Sequence, residues 1–67
     1  MEIPKKLIAK WKVLRSPGDS EKMADRLEGS AAETFNRAFR EGKCRDDVFK
    51  TMADFYEQKT ELIKEYL

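Results

Sequence analysis

The sequence predicts a small all-α domain, a four-helix bundle-like fold with helices at about 4–15, 20–28, 31–41 and 46–65. Apolar residues recur every three to four positions through these segments, as they do on one face of an α-helix. Most glycine and proline residues fall between the segments, and no segment alternates polar and apolar residues as a strand does. The 67 residues suffice for a single domain, 1–67, with a small core.

The first helix is predicted to begin at Pro4, because a proline at the first helical position loses no hydrogen bond. Leu7, Trp11 and Leu14 then form an apolar stripe at helical spacing. The turn-forming sequence 16–18, Ser-Pro-Gly, ends this helix.

For the second helix, Asp19 or Ser20 is the expected N-terminal cap, and Gly29 is the expected C-terminal stop. Its apolar face is formed by Met23, Ala24 and Leu27. Ala24 is small, so another helix can approach closely at this position.

The third helix is predicted from a capping box, in which Ser30 and Glu33 would satisfy each other's backbone N–H groups. We expect Glu33 to pair also with Arg37, one turn later. Helical spacing divides the segment into inward residues Phe35, Ala38 and Phe39 and outward residues Thr34, Asn36, Arg37 and Arg40. Gly42 ends the helix.

The fourth helix begins with Asp46 and Asp47, two acids that the helix dipole favours in a first turn. Its apolar stripe extends to Ile63 and makes it the longest helix. The apolar residues near its end are Leu62, Ile63 and Tyr66. Either they join a second copy or a partner protein, or this end folds back against the first helix.

Two short helices joined by a glycine-containing turn are typical of a helix-turn-helix. Residues 20–56 resemble the phage repressor and Cro-like superfamily of DNA-binding domains. The similarity is carried by Ala24 of the positioning helix, Gly29-Ser30 of the turn, the run 34–37 (Thr-Phe-Asn-Arg), Gly42-Lys43 of the closing loop and a following helix from Asp46.

This chain departs from the superfamily pattern at three places. Its turn is one residue longer than the commonest spacing, since Gly29 lies five positions after Ala24. Ser20-Glu21 stands where a glutamine is usual, and Glu33 and Glu41 lie on or near the face that would meet phosphates.

The resemblance implies a small transcriptional regulator of bacterial or phage type, whose helix 31–41 reads the major groove of double-stranded DNA. The predicted DNA contacts are Ser30, Thr34, Asn36, Arg37, Arg40, Lys43 and Arg45. By side-chain chemistry, the two helical arginines suit guanine edges or phosphates, Asn36 suits adenine, and Thr34 suits a thymine methyl group or a phosphate. Ser30, Lys43 and Arg45 are expected on phosphates, and Lys5, Lys6 and Lys10 on flanking phosphates.

The net charge of +1 hides an uneven distribution along the chain. Residues 1–15 carry +4, 16–29 carry −2, 30–45 carry +2 and 46–67 carry −3. Such a dipolar layout can orient a domain on a polyanion, although uneven charge also arises by chance in small helical proteins.

Several function classes are disfavoured by composition. With no histidine and only one cysteine, the chain lacks the usual zinc ligands and a histidine-based triad, so we expect no cofactor and no enzyme activity. The lone thiol of Cys44, whose pKa neighbouring Lys43 and Arg45 would lower, suits a reducing cytoplasm. No apolar segment approaches the roughly 20 residues that cross a membrane.

The main alternative is a helical protein-interaction module without nucleic-acid binding, such as an adaptor, an antitoxin-like inhibitor or a phage accessory protein. The near-neutral net charge and the two acids of the third helix favour this alternative. The grouping of Arg37, Arg40, Lys43 and Arg45 near one end favours DNA.

Overall fold

Four α-helices account for most of the chain. The computed structural model describes residues 1–66, with side chains through residue 64, and its helices are α1 (Lys5–Leu14), α2 (Asp19–Arg26), α3 (Ala32–Glu41) and α4 (Asp46–Tyr66). The all-α prediction is confirmed, and the bounds agree within two residues. Within residues 1–66 the only β pairing is an isolated antiparallel bridge between Glu2 and Lys43.

The core forms where all four helices meet the N-terminal segment. Its buried apolar residues are Ile3, Trp11, Met23, Phe35, Ala38, Phe39, Val48, Met52, Phe55 and Tyr56. Tyr56 lies at the centre of an aromatic group, because the ring of Trp11 stacks on it at 5.7 Å and those of Phe39 and Phe55 meet it edge-on at 6.0 and 5.1 Å. Trp11, Phe35 and Phe39, which helical spacing placed on apolar faces, are therefore buried as predicted, and Phe49 is half-buried.

The turn between α2 and α3 is longer than the sequence indicated. α2 ends at Arg26, and Leu27 already has an extended backbone with φ of −118°. Gly29 then has φ of +81°, a left-handed conformation that glycine adopts without a steric penalty. The two helices pack closely against each other across this turn.

The predicted capping box is wrong. Ala31, which has no hydroxyl, occupies the N-cap position of α3, and no side chain caps this helix. Ser30 instead donates its hydroxyl hydrogen to the carbonyl oxygens of Leu27 at 2.6 Å and Ala24 at 3.3 Å. Ser30 therefore donates to carbonyl oxygens at the C-terminus of α2 and does not cap the N-terminus of α3. The reason is that the longer turn moves the start of α3 by one residue.

The N-terminal residues are tied to the segment that follows α3. The Ile3 nitrogen donates to the Gly42 oxygen at 2.8 Å, and the Cys44 nitrogen donates to the Met1 oxygen at 3.0 Å. In return, the Met1 nitrogen donates to the Cys44 oxygen at 2.7 Å. Since Ile3 is also buried, these bonds fix the backbone on either side of Lys43.

A buried carboxylate connects α2 to α4. Asp19 is the first residue of α2 rather than a cap, and it accepts hydrogen bonds from the Ser16 nitrogen at 2.9 Å and from Lys59 Nζ at 2.8 Å. The Tyr56 hydroxyl lies 3.4 Å from the same oxygen. Burial and the neighbouring Asp19 charge raise the pKa of Tyr56 well above its ordinary value. This network fixes the start of α2 against the middle of α4.

Residues 57–64 of α4 add little to the core. Among the α4 side chains described through residue 64, Tyr56 is the last buried one, and Leu62 and Ile63 remain 57% and 40% exposed. Leu62 and Ile63 therefore do not cover Trp11, as the second alternative for this end required, and the rings of Phe49 and Tyr56 contact Trp11 instead. None of the helices in residues 1–66 is both long and apolar enough to cross a membrane.

Candidate nucleic-acid interface

α3 presents a polar ridge to solvent and an apolar face to the core. Its inward residues Phe35, Ala38 and Phe39 are all buried, as predicted from their spacing. The exposed residues at the crest of the opposite side are Glu33, Arg37 and Arg40, which we call the α3 ridge. Gly42, with φ of +71°, ends the helix and turns the chain toward Lys43.

One side of the α3 ridge borders an open groove of about 730 Å³, which we call the Arg37 groove. Predicted DNA contacts that line it are Thr34, Arg37, Lys43 and Arg45. The structure therefore brings together four of the seven predicted residues. The N-terminal segment supplies part of the same wall and holds the backbone at Lys43.

Arg45 and Cys44, which line the Arg37 groove, both lie near the acids at the start of α4. Arg45 lies 3.4 Å from the Asp47 carboxylate, and both side chains are more than half exposed, so water weakens this pair. Burial raises the pKa of the Cys44 thiol, and the acids Asp46 and Asp47 act in the same direction. The expectation of a lowered pKa for Cys44 is thus wrong, and this thiol is a weak nucleophile at neutral pH.

Arg40 pairs with Glu33 across two helical turns. The Arg40 guanidinium donates to the Glu33 carboxylate at 2.6 Å, whereas the sequence predicted a pair between Glu33 and Arg37. Arg40, together with the Arg37 charge and the amide of Asn36, holds the pKa of Glu33 below its ordinary value. Glu33 is therefore ionised at neutral pH and offsets one positive charge of the α3 ridge.

Asn36 lies on the other side of the ridge, in a groove that the sequence did not indicate. This groove, of about 470 Å³, is bordered by the end of α1, the start of α2 and the first half of α3, and we call it the Arg15 groove. Asn36 Oδ1 accepts hydrogen bonds from Ser20 Oγ at 2.6 Å and from the Arg15 guanidinium. Lys12 also lines the groove.

Sequence reasoning missed Arg15, Lys12 and Ser20 as parts of this surface. Their convergence depends on how the 16–18 turn places the end of α1 beside α3, and no spacing rule along the chain specifies that. The available signal was only the basic charge of residues 1–15.

The remaining predicted residues are placed less favourably for DNA. The Ser30 hydroxyl and the Ser30 nitrogen both donate to carbonyl oxygens of the α2 terminus, so neither donor faces outward. Lys5, Lys6 and Lys10 are exposed on α1, and among these lysines it is Lys5 that shares a groove with Arg40 and Lys43.

Among the described side chains, no group of three or more His, Cys, Asp or Glu residues can hold a metal ion.

No protein-family model matches this chain, and neither does any curated protein or solved structure. Its function is therefore inferred from the arrangement of its own residues.

Proposed function

We propose that this chain is a small DNA-binding transcriptional regulator of bacterial or phage type. In this proposal α2, the 27–31 turn and α3 act as a helix-turn-helix within a four-helix bundle-like domain, and α3 enters the major groove. The domain then acts on double-stranded DNA in the cytoplasm and needs no cofactor.

The observation that carries this proposal is the position of Arg37. It is exposed on the α3 ridge beside Lys43 and Arg45, and it forms no hydrogen bond or ion pair with the described residues. A guanidinium with free donors at the crest of a helix can reach either guanine O6 and N7 or a phosphate. Lys43 and Arg45, in the loop that follows, are at the edge of the groove, where a DNA backbone would pass.

Arg40 and Thr34 have secondary roles in this proposal. Arg40 becomes available for DNA when it leaves Glu33, and Thr34 faces the Arg37 groove rather than the crest, so it suits a phosphate better than a thymine methyl group. Ser30 contributes through the turn it stabilises.

A titration of a fluorescent mixed-sequence duplex at several salt concentrations tests the proposal. We expect affinity to fall with salt, with a log–log slope of about −0.9 for each phosphate contact. Arg37→Ala/Arg40→Ala should weaken binding and make the salt slope shallower, while Lys43 and Arg45 keep part of it. The matched control is Lys22→Ala, which removes a cation from α2 outside the Arg37 and Arg15 grooves. A wild-type slope near zero would rule out DNA binding.

We also propose that the end of α4 pairs with a second copy of the chain. Leu62 and Ile63 are exposed, and Glu61 and Lys64 flank them symmetrically. An antiparallel two-fold pairing centred between Leu62 and Ile63 sets Glu61 opposite Lys64 of the partner subunit. Tyr66, predicted for the same surface, has its side chain outside the described residues. A dimer would place two copies of α3 on two DNA half-sites.

The second candidate function is a protein-interaction module without nucleic-acid binding. The observation in its favour is the same exposed end of α4, together with the charge that Glu33 removes from the ridge. This candidate predicts no duplex binding at low salt, and a partner protein whose binding is lost on Leu62→Glu.

A further inference from the structure

The Arg15 groove contains hydrogen-bond donors that have no role in the proposed contact between the α3 ridge and DNA. Lys12 approaches it from α1, Arg15 from the position directly after α1, Ser20 from α2 and Asn36 from α3, and the acid Glu21 lines it as well. Of these, Ser20 is 8% exposed, so its hydroxyl serves inside the cluster rather than on the surface.

The oxygen of Asn36 is fully engaged within the protein. Ser20 Oγ donates to it at 2.6 Å, and the Arg15 guanidinium donates to it from the other side. A guanidinium has no acceptor, so the amide atom facing Arg15 must be the oxygen. The group that Asn36 can offer to a ligand is its amide nitrogen, which has two hydrogens to donate and which also lies near Glu33, whose pKa it helps to lower.

This state of Asn36 does not suit adenine. Bidentate recognition of adenine needs an acceptor for N6–H₂ and a donor for N7 from one amide group. The amide nitrogen of Asn36 can only donate hydrogen bonds, so it suits a partner that can only accept them, such as a backbone phosphate. The sequence-based role of Asn36 as an adenine reader is therefore not the one its surroundings favour.

Arg15 contacts α2 and α3 at the same place. Its guanidinium carbon lies 4.4 Å from the centre of the Phe39 ring, and it also donates to Ser20 Oγ at 3.3 Å. Because a guanidinium has five N–H donors, some remain for an anion after these bonds are made. Lys12, three positions earlier on α1, brings a second cation to the same groove.

The two grooves lie on opposite sides of the α3 ridge. At about 100° of rotation per residue, positions 32 and 36 lie on one flank of the ridge and positions 34 and 41 on the other. The first pair lines the Arg15 groove and the second pair lines the Arg37 groove. A major groove is bounded by two phosphate backbones about 12 Å apart, so a helix inserted in it has one backbone on each flank.

We propose that the Arg15 groove binds a backbone phosphate of duplex DNA through Lys12, Arg15 and the Asn36 amide, on the strand opposite to the one that meets Lys43 and Arg45. The site rests on the proposed DNA-binding function and adds to it Lys12 of α1 and Arg15, the residue that follows α1. It also changes Asn36 from a base-reading residue to a phosphate-binding residue.

The same duplex titration tests this site with Lys12→Gln and a matched control, Lys10→Gln. Lys10 is an exposed lysine of α1 that lines neither groove, so this proposal gives it no phosphate contact, in contrast to the expectation from the sequence. Loss of one phosphate contact should make the Lys12→Gln slope shallower by about 0.9 and weaken binding about eightfold at 0.1 M salt. The Lys10→Gln slope should stay at the wild-type value.

A second variant, Asn36→Asp, probes the amide directly. Aspartate keeps an oxygen for Arg15 and Ser20 but replaces the amide donors with an anion, so the domain should melt normally while its affinity for the duplex falls. Selection from a randomised duplex pool should return the same sequence for this variant as for wild type. A change in the selected base at one position would identify Asn36 as a base reader instead.

The outcomes separate this site from the wider proposal. If wild type binds DNA in a salt-dependent way and Lys12→Gln behaves like Lys10→Gln, the Arg15 groove is not a phosphate site, and DNA binding by α3 still holds. If wild type does not bind the duplex even at low salt, both proposals are refuted. Arg15 itself is not substituted, because its loss would also remove packing against Phe39.

Discussion

Replacing Asp19 with alanine should destabilise the domain strongly, although this residue lines neither the Arg37 groove nor the Arg15 groove. Its side chain is 3% exposed and accepts short hydrogen bonds from the Ser16 nitrogen and from Lys59, whose side chain is 23% exposed. Hydrogen bonds to a charged group contribute about 1.5–3 kcal/mol each, and partial exposure of Lys59 reduces its share. We therefore expect a loss of about 2–3 kcal/mol in the free energy of unfolding.

Thermal melting followed by circular dichroism measures this loss. For a domain of this size, 1 kcal/mol corresponds to about 4–8 °C, so the melting temperature of Asp19→Ala should fall by about 10 °C or more. Asp25→Ala, which removes an exposed acid from the same helix, is the control and should stay within about 0.5 kcal/mol of wild type. Equal melting temperatures for the two variants would refute the assigned role of the network.

The network also predicts how stability depends on pH. Burial alone would raise the pKa of Asp19, but the hydrogen bonds from Lys59 and from the Ser16 backbone outweigh it and hold this pKa below its ordinary value. A carboxyl group with a depressed folded-state pKa stabilises the fold above its unfolded pKa of about 3.9, and this contribution is lost as pH falls through the folded-state value. The stability difference between wild type and Asp19→Asn should therefore be constant near neutral pH and shrink below about pH 4. A difference that grows on acidification would contradict this.

Three further predictions concern the ridge, the end of α3 and the end of α4. Glu33→Gln should raise duplex affinity at low salt, because it frees Arg40 and removes an anion; weaker binding in the same titration would mean that Glu33 contacts DNA favourably. Gly42→Ala should lower the melting temperature by about 4–8 °C, because alanine in a left-handed conformation costs about 1 kcal/mol. No neighbouring atom lies within 4 Å of the added Cβ, so a steric clash adds nothing to this cost. An unchanged melting temperature would show that the backbone relaxes. In sedimentation equilibrium, Glu61→Lys and Lys64→Glu should each weaken self-association, and the double variant should restore it because opposite charges face each other again. A wild-type chain that is monomeric at all concentrations would exclude the proposed dimer.

The sequence predicted the helices well because each is specified locally. In α3, Phe35 and Phe39 lie one turn apart, and Gly42 supplies the left-handed backbone that ends the helix. These signals depend only on the spacing of neighbouring residues, which is why the number and approximate bounds of the helices were predictable.

The surface around α3 was less predictable because it depends on contacts between distant residues. Ser30 satisfies the signature of a capping box, but α2 ends early and its free carbonyl oxygens take the hydroxyl instead. Asn36 has the right type and position for base reading, yet its oxygen is taken by Arg15, which is 21 positions earlier. Side-chain partners of this kind follow from tertiary packing, and a pattern along the chain does not specify them.

The arrangement of charges around α3 has a consequence for selectivity. On the ridge Glu33 offsets Arg40. In the proposed DNA-binding function, attraction to any duplex would therefore come mainly from the cations in the two flanking grooves. Arg40 can enter a major groove only by leaving Glu33, and that separation is favourable only where a base edge offers acceptors that replace the carboxylate. Non-specific binding does not need this separation, because phosphate contacts made by other residues leave the ion pair between Glu33 and Arg40 intact. If the proposed DNA binding holds, the Glu33–Arg40 pair would widen the difference in affinity between a cognate site and other DNA, which would give an acid on the α3 ridge a physical role.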